Sequence, residues 1–192
     1  DDARAGIRAR FALKRAQVMI GDCQAVRYQG LRLGMPADRI VTFPWGIDLS
    51  VFNDQAKKNG QKLRAELGWQ DHFVLFHNRT WAPIYDVPTA IKGFALAAAQ
   101  SDALRLILAG DGPLSDEIQA LIGSLKMQDR IKVTGRIDQA ELPAWYNAAD
   151  IYLSASQSDG ASVSLMEALA AGKPVLLSDI PGNREWLDAA EI

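Results

Sequence analysis

From Phe73 to Asp179 the sequence repeats one unit: a short apolar run, a turn rich in Gly, Asp, Ser or Pro, then a stretch with helical apolar spacing. The apolar runs are Phe73–His77, Leu104–Gly110, Ile131–Gly135, Ile151–Ser156 and Pro174–Asp179. Helical patterns follow at Val87–Ala99, Ser115–Leu125, Gln139–Ala148 and Val163–Ala171, with a further start at Asn183. Strands this apolar need helices on both faces, which implies a parallel sheet covered on each side. Right-handed crossovers then give a Rossmann-like α/β fold. With 48% hydrophobic and 23% charged residues in 192, the chain can bury a sizeable core.

In such sheets ligands bind at the carboxyl ends of the strands. Here those ends are Asn78-Arg79-Thr80-Trp81, Gly110-Asp111-Gly112-Pro113, Gly135-Arg136-Ile137 and Ser158 to Ser164, four loops expected to line one crevice. The last carries the most chemistry. Asp159 precedes the small residues Gly160, Ala161 and Ser162, and Glu167 follows about two helical turns later. The first amides of a helix starting there have no earlier carbonyl to bond. An anion site flanked by two carboxylates is the expectation.

Ahead of the repeat, Ala3–Arg15 reads as a basic helix, either a solvated face or a surface for anionic lipid or polyphosphate. Gln17–Gly21 reads as a strand. Asp22 is the expected N-cap of a helix running to Leu33 and stopped by Gly34. A strand at Arg39–Phe43 and a turn at Pro44–Asp48 follow. The polar stretch Asn53–Gly60 reads as a linker or exposed loop, with a short helix around Leu63–Leu67. The net charge of −2 gives no bulk reason for nucleic-acid binding. The single cysteine, Cys23, fits a reducing compartment, and no apolar run approaches membrane-spanning length, so a soluble, cytoplasmic protein is expected.

The order PWGID, a strand ending in Arg79, LAGDGP, VTGRIDQAELPAWYNAADIYLSAS and SDGASVSLMEALAAGKPVLLSD resembles the carboxyl-terminal half of a family-4 retaining glycosyltransferase of the GT-B fold. The resemblance runs from about Arg10 to Leu187. It implies that residues 1–44 are the tail of an acceptor-side N-terminal domain and the crossover, and that 45–192 are a donor-binding domain truncated near its end. It also implies transfer of a hexose from a nucleoside diphosphate sugar to a hydroxyl, with retention and no metal. Arg79 and Asp159 would be catalytic. Donor contacts would come from Arg79, Gly135, Arg136, Ile137, Asp159, Gly160, Ala161, Ser162, Val163, Ser164 and Glu167. The remaining N-terminal domain would be the partner, with peripheral membrane contact made through it in glycan biosynthesis. The isolated chain would bind nucleotide weakly and transfer nothing.

Two positions depart from the family pattern. Its Glu, seven residues, Glu motif has Asp159 in the first place, one methylene short. Its Lys, six residues after the strand-end Arg, is Tyr85. A phenol donates one neutral hydrogen bond and neutralises no charge. Slower chemistry, weaker donor binding or a substitute cation such as Lys173 or Arg184 would each accommodate the loss. A non-catalytic nucleotide-binding or assembly module is the alternative function. A dinucleotide site is a further one, read from Gly110, Gly112 and Ser115 with Asp129 as the ribose acid.

Overall fold

The computed structural model describes residues 3–188, which fall into two compact units. One comprises Ile47–Ser158 and Val163–Ser178; the other takes residues 3–46, Asp159–Ser162 and 179–188.

The larger unit holds five parallel strands in the order β5-β4-β3-β6-β7. They are β3 (Phe73–His77), β4 (Leu104–Ala109), β5 (Ile131–Gly135), β6 (Ile151–Ser154) and β7 (Val175–Leu177). The central strand, β3, aligns Leu75 with Leu106 on one side and with Ile151 on the other. Its helices are α3 (Asp54–Glu66), α4 (Val87–Ala98), α5 (Ser115–Ser124), α6 (Leu142–Ala148) and α7 (Val163–Ala170). The strand alternation sorts the core into two layers. Leu106 and Leu108 of β4 face Val87, Ile91 and Phe94 of α4 and Ile118 and Ile122 of α5. Ile107 and Ala109 join Val74, Phe76, Tyr146 and Tyr152 on the opposite face. This is the expected doubly covered sheet.

The stretch Asn53–Gly60 is helix, not linker: α3 begins at Asn53, whose side chain accepts from the Ala56 amide at 3.1 Å. Its buried stripe is made of Ala56 and Gly60, continued by the partly buried Leu63 and Leu67. Small residues hid the apolar period because they are there for closeness rather than bulk. A Cβ on Gly60 would lie 2.6 Å from the Asn147 carbonyl carbon and 2.8 Å from the Ala144 oxygen of α6. Arg64 fixes the far end of α3, donating to Asp150 at 2.7 Å and to the Trp69 carbonyl at 3.0 Å.

In the smaller unit α1 (Ala3–Leu13) leads to β1 (Met19–Gly21), α2 (Gln24–Arg32) and β2 (Ile40–Thr42), the two strands pairing in parallel. Asp22 is not the cap of α2. Cys23 holds the N-cap position without a side-chain capping bond, and the Gln24 amide donates to both oxygens of Glu185 at 3.0 and 2.8 Å. Glu185 belongs to α8 (Pro181–Asp188). A carboxylate at a helix N-terminus meets the positive end of its dipole. The Asp22 carboxylate instead accepts from the Ala161 amide at 3.1 Å.

Candidate functional site

A crevice of about 220 Å³ opens at the carboxyl edge of the five-stranded sheet. Asn78 and Thr80 line it after β3, Gly110 and Asp111 after β4, Arg136 and Ile137 after β5, with Val163, Ser164 and Glu167 from α7. β5 carries one extra residue against β4, since Leu108 pairs with Val133 but Ala109 with Gly135, and this irregularity immediately precedes Arg136.

Glu167 is 3% exposed, so its carboxylate needs partners. Tyr146 Oη lies 3.0 Å from Oε2 and Gln139 Nε2 donates to Oε1 at 2.8 Å. Tyr146 Oη also lies 2.8 Å from the Ser164 carbonyl and accepts from Asn78 Nδ2 at 2.9 Å. Burial pushes the phenol pKa well up, helped by neighbouring Tyr152 and Glu167, so Tyr146 remains a donor. One oxygen of Glu167 is therefore tied to the core by a buried side chain, while the other is met by an exposed glutamine. Asn78 and Thr80 line the crevice as their strand-end loop predicts, whereas the sequence pattern assigns Tyr146 and Gln139 no place in it. The available signal was a tyrosine at a core position of α6, since a buried phenol requires a hydrogen-bond partner.

Arg79 leaves β3 beneath the crevice with 8% exposure. Its Nη1 is 3.4 Å from Ser164 Oγ, and its guanidinium carbon lies 4.2 Å from the centre of the Tyr85 ring. His77 is fully buried beside it, with Nδ1 3.4 Å from the Arg79 amide. Burial first, and the Arg79 charge second, lower the His77 pKa from its ordinary 6.5 to about 3. The unfolded chain therefore gains a proton below pH 6.5 that the folded chain refuses. Stability from this residue is complete above pH 6.5 and is lost progressively as pH falls towards 3. Urea denaturation at pH 7 and pH 5 should differ by about 2 kcal/mol on this account, and His77→Asn should remove that difference.

The Asp111 carboxylate is held below the usual range by the Ser115 hydroxyl, then by the Gly112 amide and, more weakly, by the Arg136 charge. Gly110 has φ +123°, and a side chain there would also meet the Arg79 carbonyl at 2.5 Å. Gly112 is required by the Trp81 carbonyl, which a Cβ would approach to 2.5 Å. Asp129 precedes β5, at the amino ends of the strands, so the dinucleotide arrangement is not assembled. Trp81 is a core residue whose indole donates to the Ala109 carbonyl at 3.3 Å.

The remaining expected site residues are divided between the two units. Gly135 is the left-handed turn residue at the end of β5, with φ +71°. Asp159, Gly160, Ala161 and Ser162 belong to the smaller unit, where a Cβ on Gly160 would meet the Asp22 carboxylate at 2.5 Å. Lys173 is not brought to the crevice. It precedes β7, its Nζ donates to the Ala149 carbonyl at 2.9 Å, and burial lowers its pKa. Arg184 lies on α8 and bonds both carboxylate oxygens of Asp179. Among the described residues that line the crevice, the cation is the exposed Arg136. Among the described residues no group of three potential ligands could hold a metal ion, and no helix is long and apolar enough to cross a membrane.

Residues 59–191 match the family described as Glycosyl transferases group 1. The alpha-monoglucosyldiacylglycerol synthase of Streptococcus pneumoniae is 31% identical over 72% of this chain and 32% of its own length. The N-acetyl-alpha-D-glucosaminyl L-malate synthase of Bacillus anthracis is 28% identical over 92% of this chain and 45% of its own. The chain thus spans 32% and 45% of the length of these two relatives. Anabaena HepE, solved in complex with UDP-glucose, superposes with a TM-score of 0.81 at 24% identity over 94% of this chain and 51% of that one, a likeness of fold. Since the family match covers most of the chain and takes in the crevice, the chain belongs to the glycosyl transferases group 1 family.

Proposed function

We propose that this chain is the nucleotide-sugar-binding part of a retaining glycosyltransferase that moves a hexose from a nucleoside diphosphate sugar to a hydroxyl acceptor. The observation that carries the reading is Glu167: a buried carboxylate at the crevice, with one oxygen anchored by Tyr146 and the other met by the exposed Gln139. Vicinal ribose hydroxyls can bond to that outer oxygen, since a carboxylate has about four lone-pair sites. Arg79, Arg136 and the first turn of α7 supply the positive end for the diphosphate. The leaving diphosphate gains charge as the glycosidic bond breaks, so donors aimed at it stabilise the transition state beyond the ground state. This route requires no metal. Uridine is the proposed nucleoside, on the likeness to HepE solved with UDP and with UDP-glucose.

The roles of Asp159 to Ser162 on the sugar rest on the sequence motif. Residues 1–44 are read as the tail of an acceptor-side domain, a reading supported by exposed Ile20 and Val41 on the β1–β2 pair. Glycan biosynthesis at a cytoplasmic membrane face, reached through that domain, completes the proposal.

Calorimetric titration of the full-length protein with UDP, GDP and ADP, free and attached to sugars, tests it. UDP binding that Arg79→Ala and Glu167→Ala abolish is expected. No binding at millimolar nucleotide would overturn the reading in favour of a non-catalytic assembly module.

A further inference from the structure

An arginine side chain has a large rotamer entropy, and whatever orders it must offset that loss. At Arg79 the offset is visible as a stacked ring. The guanidinium carbon is 4.2 Å from the Tyr85 ring centre, and Arg79 is 8% exposed, so the contact is a desolvated cation–π pair rather than a surface one. A covered guanidinium face leaves the in-plane N–H edge as its hydrogen-bonding surface, and that edge reaches Ser164 Oγ in the crevice lining.

The ring is itself held. Tyr85 closes the 3-10 turn Pro83–Tyr85, its amide donating to the Ala82 carbonyl at 3.0 Å. The next residue, Asp86, takes the left-handed conformation at φ 43° and accepts from Gln157 Nε2 at 3.1 Å. The Gln157 amide in turn donates to the Ile84 carbonyl at 2.9 Å. Tyr85 also packs against the core cluster to which Trp81, Val87 and Ile91 belong. Nothing in this construction is needed to close the turn with a tyrosine in particular; the ring face is used by Arg79.

We infer that Tyr85 is the positioning residue of the donor site, fixing the plane of Arg79 so that its N–H edge addresses the diphosphate; this rests on the donor-binding reading above. The ring contributes order where it adds no charge. It acts only through Arg79, and therefore on the phosphates and not on the nucleoside.

That selectivity is the test. In the full-length protein, Tyr85→Leu should weaken UDP binding about tenfold while leaving uridine binding unchanged, and Tyr85→Phe, which keeps the ring, should stay within about twofold of wild type for both. Calorimetry reads UDP, and ligand-observed NMR reads uridine. Equal loss of UDP and uridine in Tyr85→Leu would assign a merely structural role, and unchanged UDP binding would remove any role; either overturns the inference. If the wild-type protein binds no UDP, the donor-site reading fails separately. The Arg79 Nε–Hε resonance then decides for the contact itself. Ring-current displacement should persist in Tyr85→Phe and vanish in Tyr85→Leu, and a resonance that ignores the leucine overturns the stacking.

Discussion

Glu167→Ala is expected to reduce UDP affinity by at least about a hundredfold. Hydrogen bonds to a charged acceptor contribute about 1.5–3 kcal/mol each, and two ribose hydroxyls sharing this carboxylate would together lose about 3 kcal/mol or more. The loss is large because the partner is prepared. Glu167 is buried, its Oε2 is already satisfied by Tyr146, and no side-chain search precedes binding. Glu167→Gln gives the intermediate case. Its amide oxygen can still accept from Tyr146, but its NH2 group cannot accept from a hydroxyl. Calorimetry on the full-length protein checks both variants, and thermal melting of each shows whether the fold is kept. Wild-type affinity in Glu167→Ala would exclude Glu167 as a ribose acceptor.

The second large effect concerns stability and has an internal control. Alanine is favoured over glycine within a helix by about 1 kcal/mol, so Gly→Ala in an open helical position is stabilising. Gly93 in α4 is such a position, with nothing within 4 Å of a built Cβ, and Gly93→Ala should gain up to about 1 kcal/mol. Gly60 in α3 is the opposite case. Its Cβ would meet backbone atoms of Asn147 and Ala144, which cannot swing away as a side-chain end would. Overpacking of this kind costs about 1–3 kcal/mol, so Gly60→Ala should lose about 1 kcal/mol net although its propensity improves. Chemical denaturation measures both. Equal and positive changes at the two sites would mean that α3 and α6 can separate freely.

What the sequence made legible divides along a physical line. The five strands of the larger sheet and the loops at their carboxyl ends were readable because apolar runs and turn residues are local signals. Each of those strands was located to within two residues of its observed ends. The sequence shows α3 only at its Leu63–Leu67 end; its first two turns are hidden because the contact stripe begins with Ala56 and Gly60, whose value lies in what they omit. The cap of α2 was misassigned to Asp22, adjacent in sequence, when Glu185 performs it from 161 positions away. Lys173 and Arg184 were candidates for the second cation by charge alone. The lysine sits at the amino ends of the strands and the arginine is paired with Asp179, facts of topology that no spacing conveys. Arg136, expected among the donor contacts from its place at the end of the third strand, does line the crevice.

Tyr146 joins two regions that are ordinarily independent. Its ring stands edge-on to Phe76 at 4.9 Å in the sheet core, while its hydroxyl lies against the crevice acid. Any group that draws on the outer oxygen of Glu167 redistributes charge over the whole carboxylate and alters the strength of the acceptor facing that phenol. An occupied and an empty crevice are then expected to differ in the near-ultraviolet spectrum of a tyrosine that solvent does not reach, whose one proton faces both Glu167 and the Ser164 carbonyl.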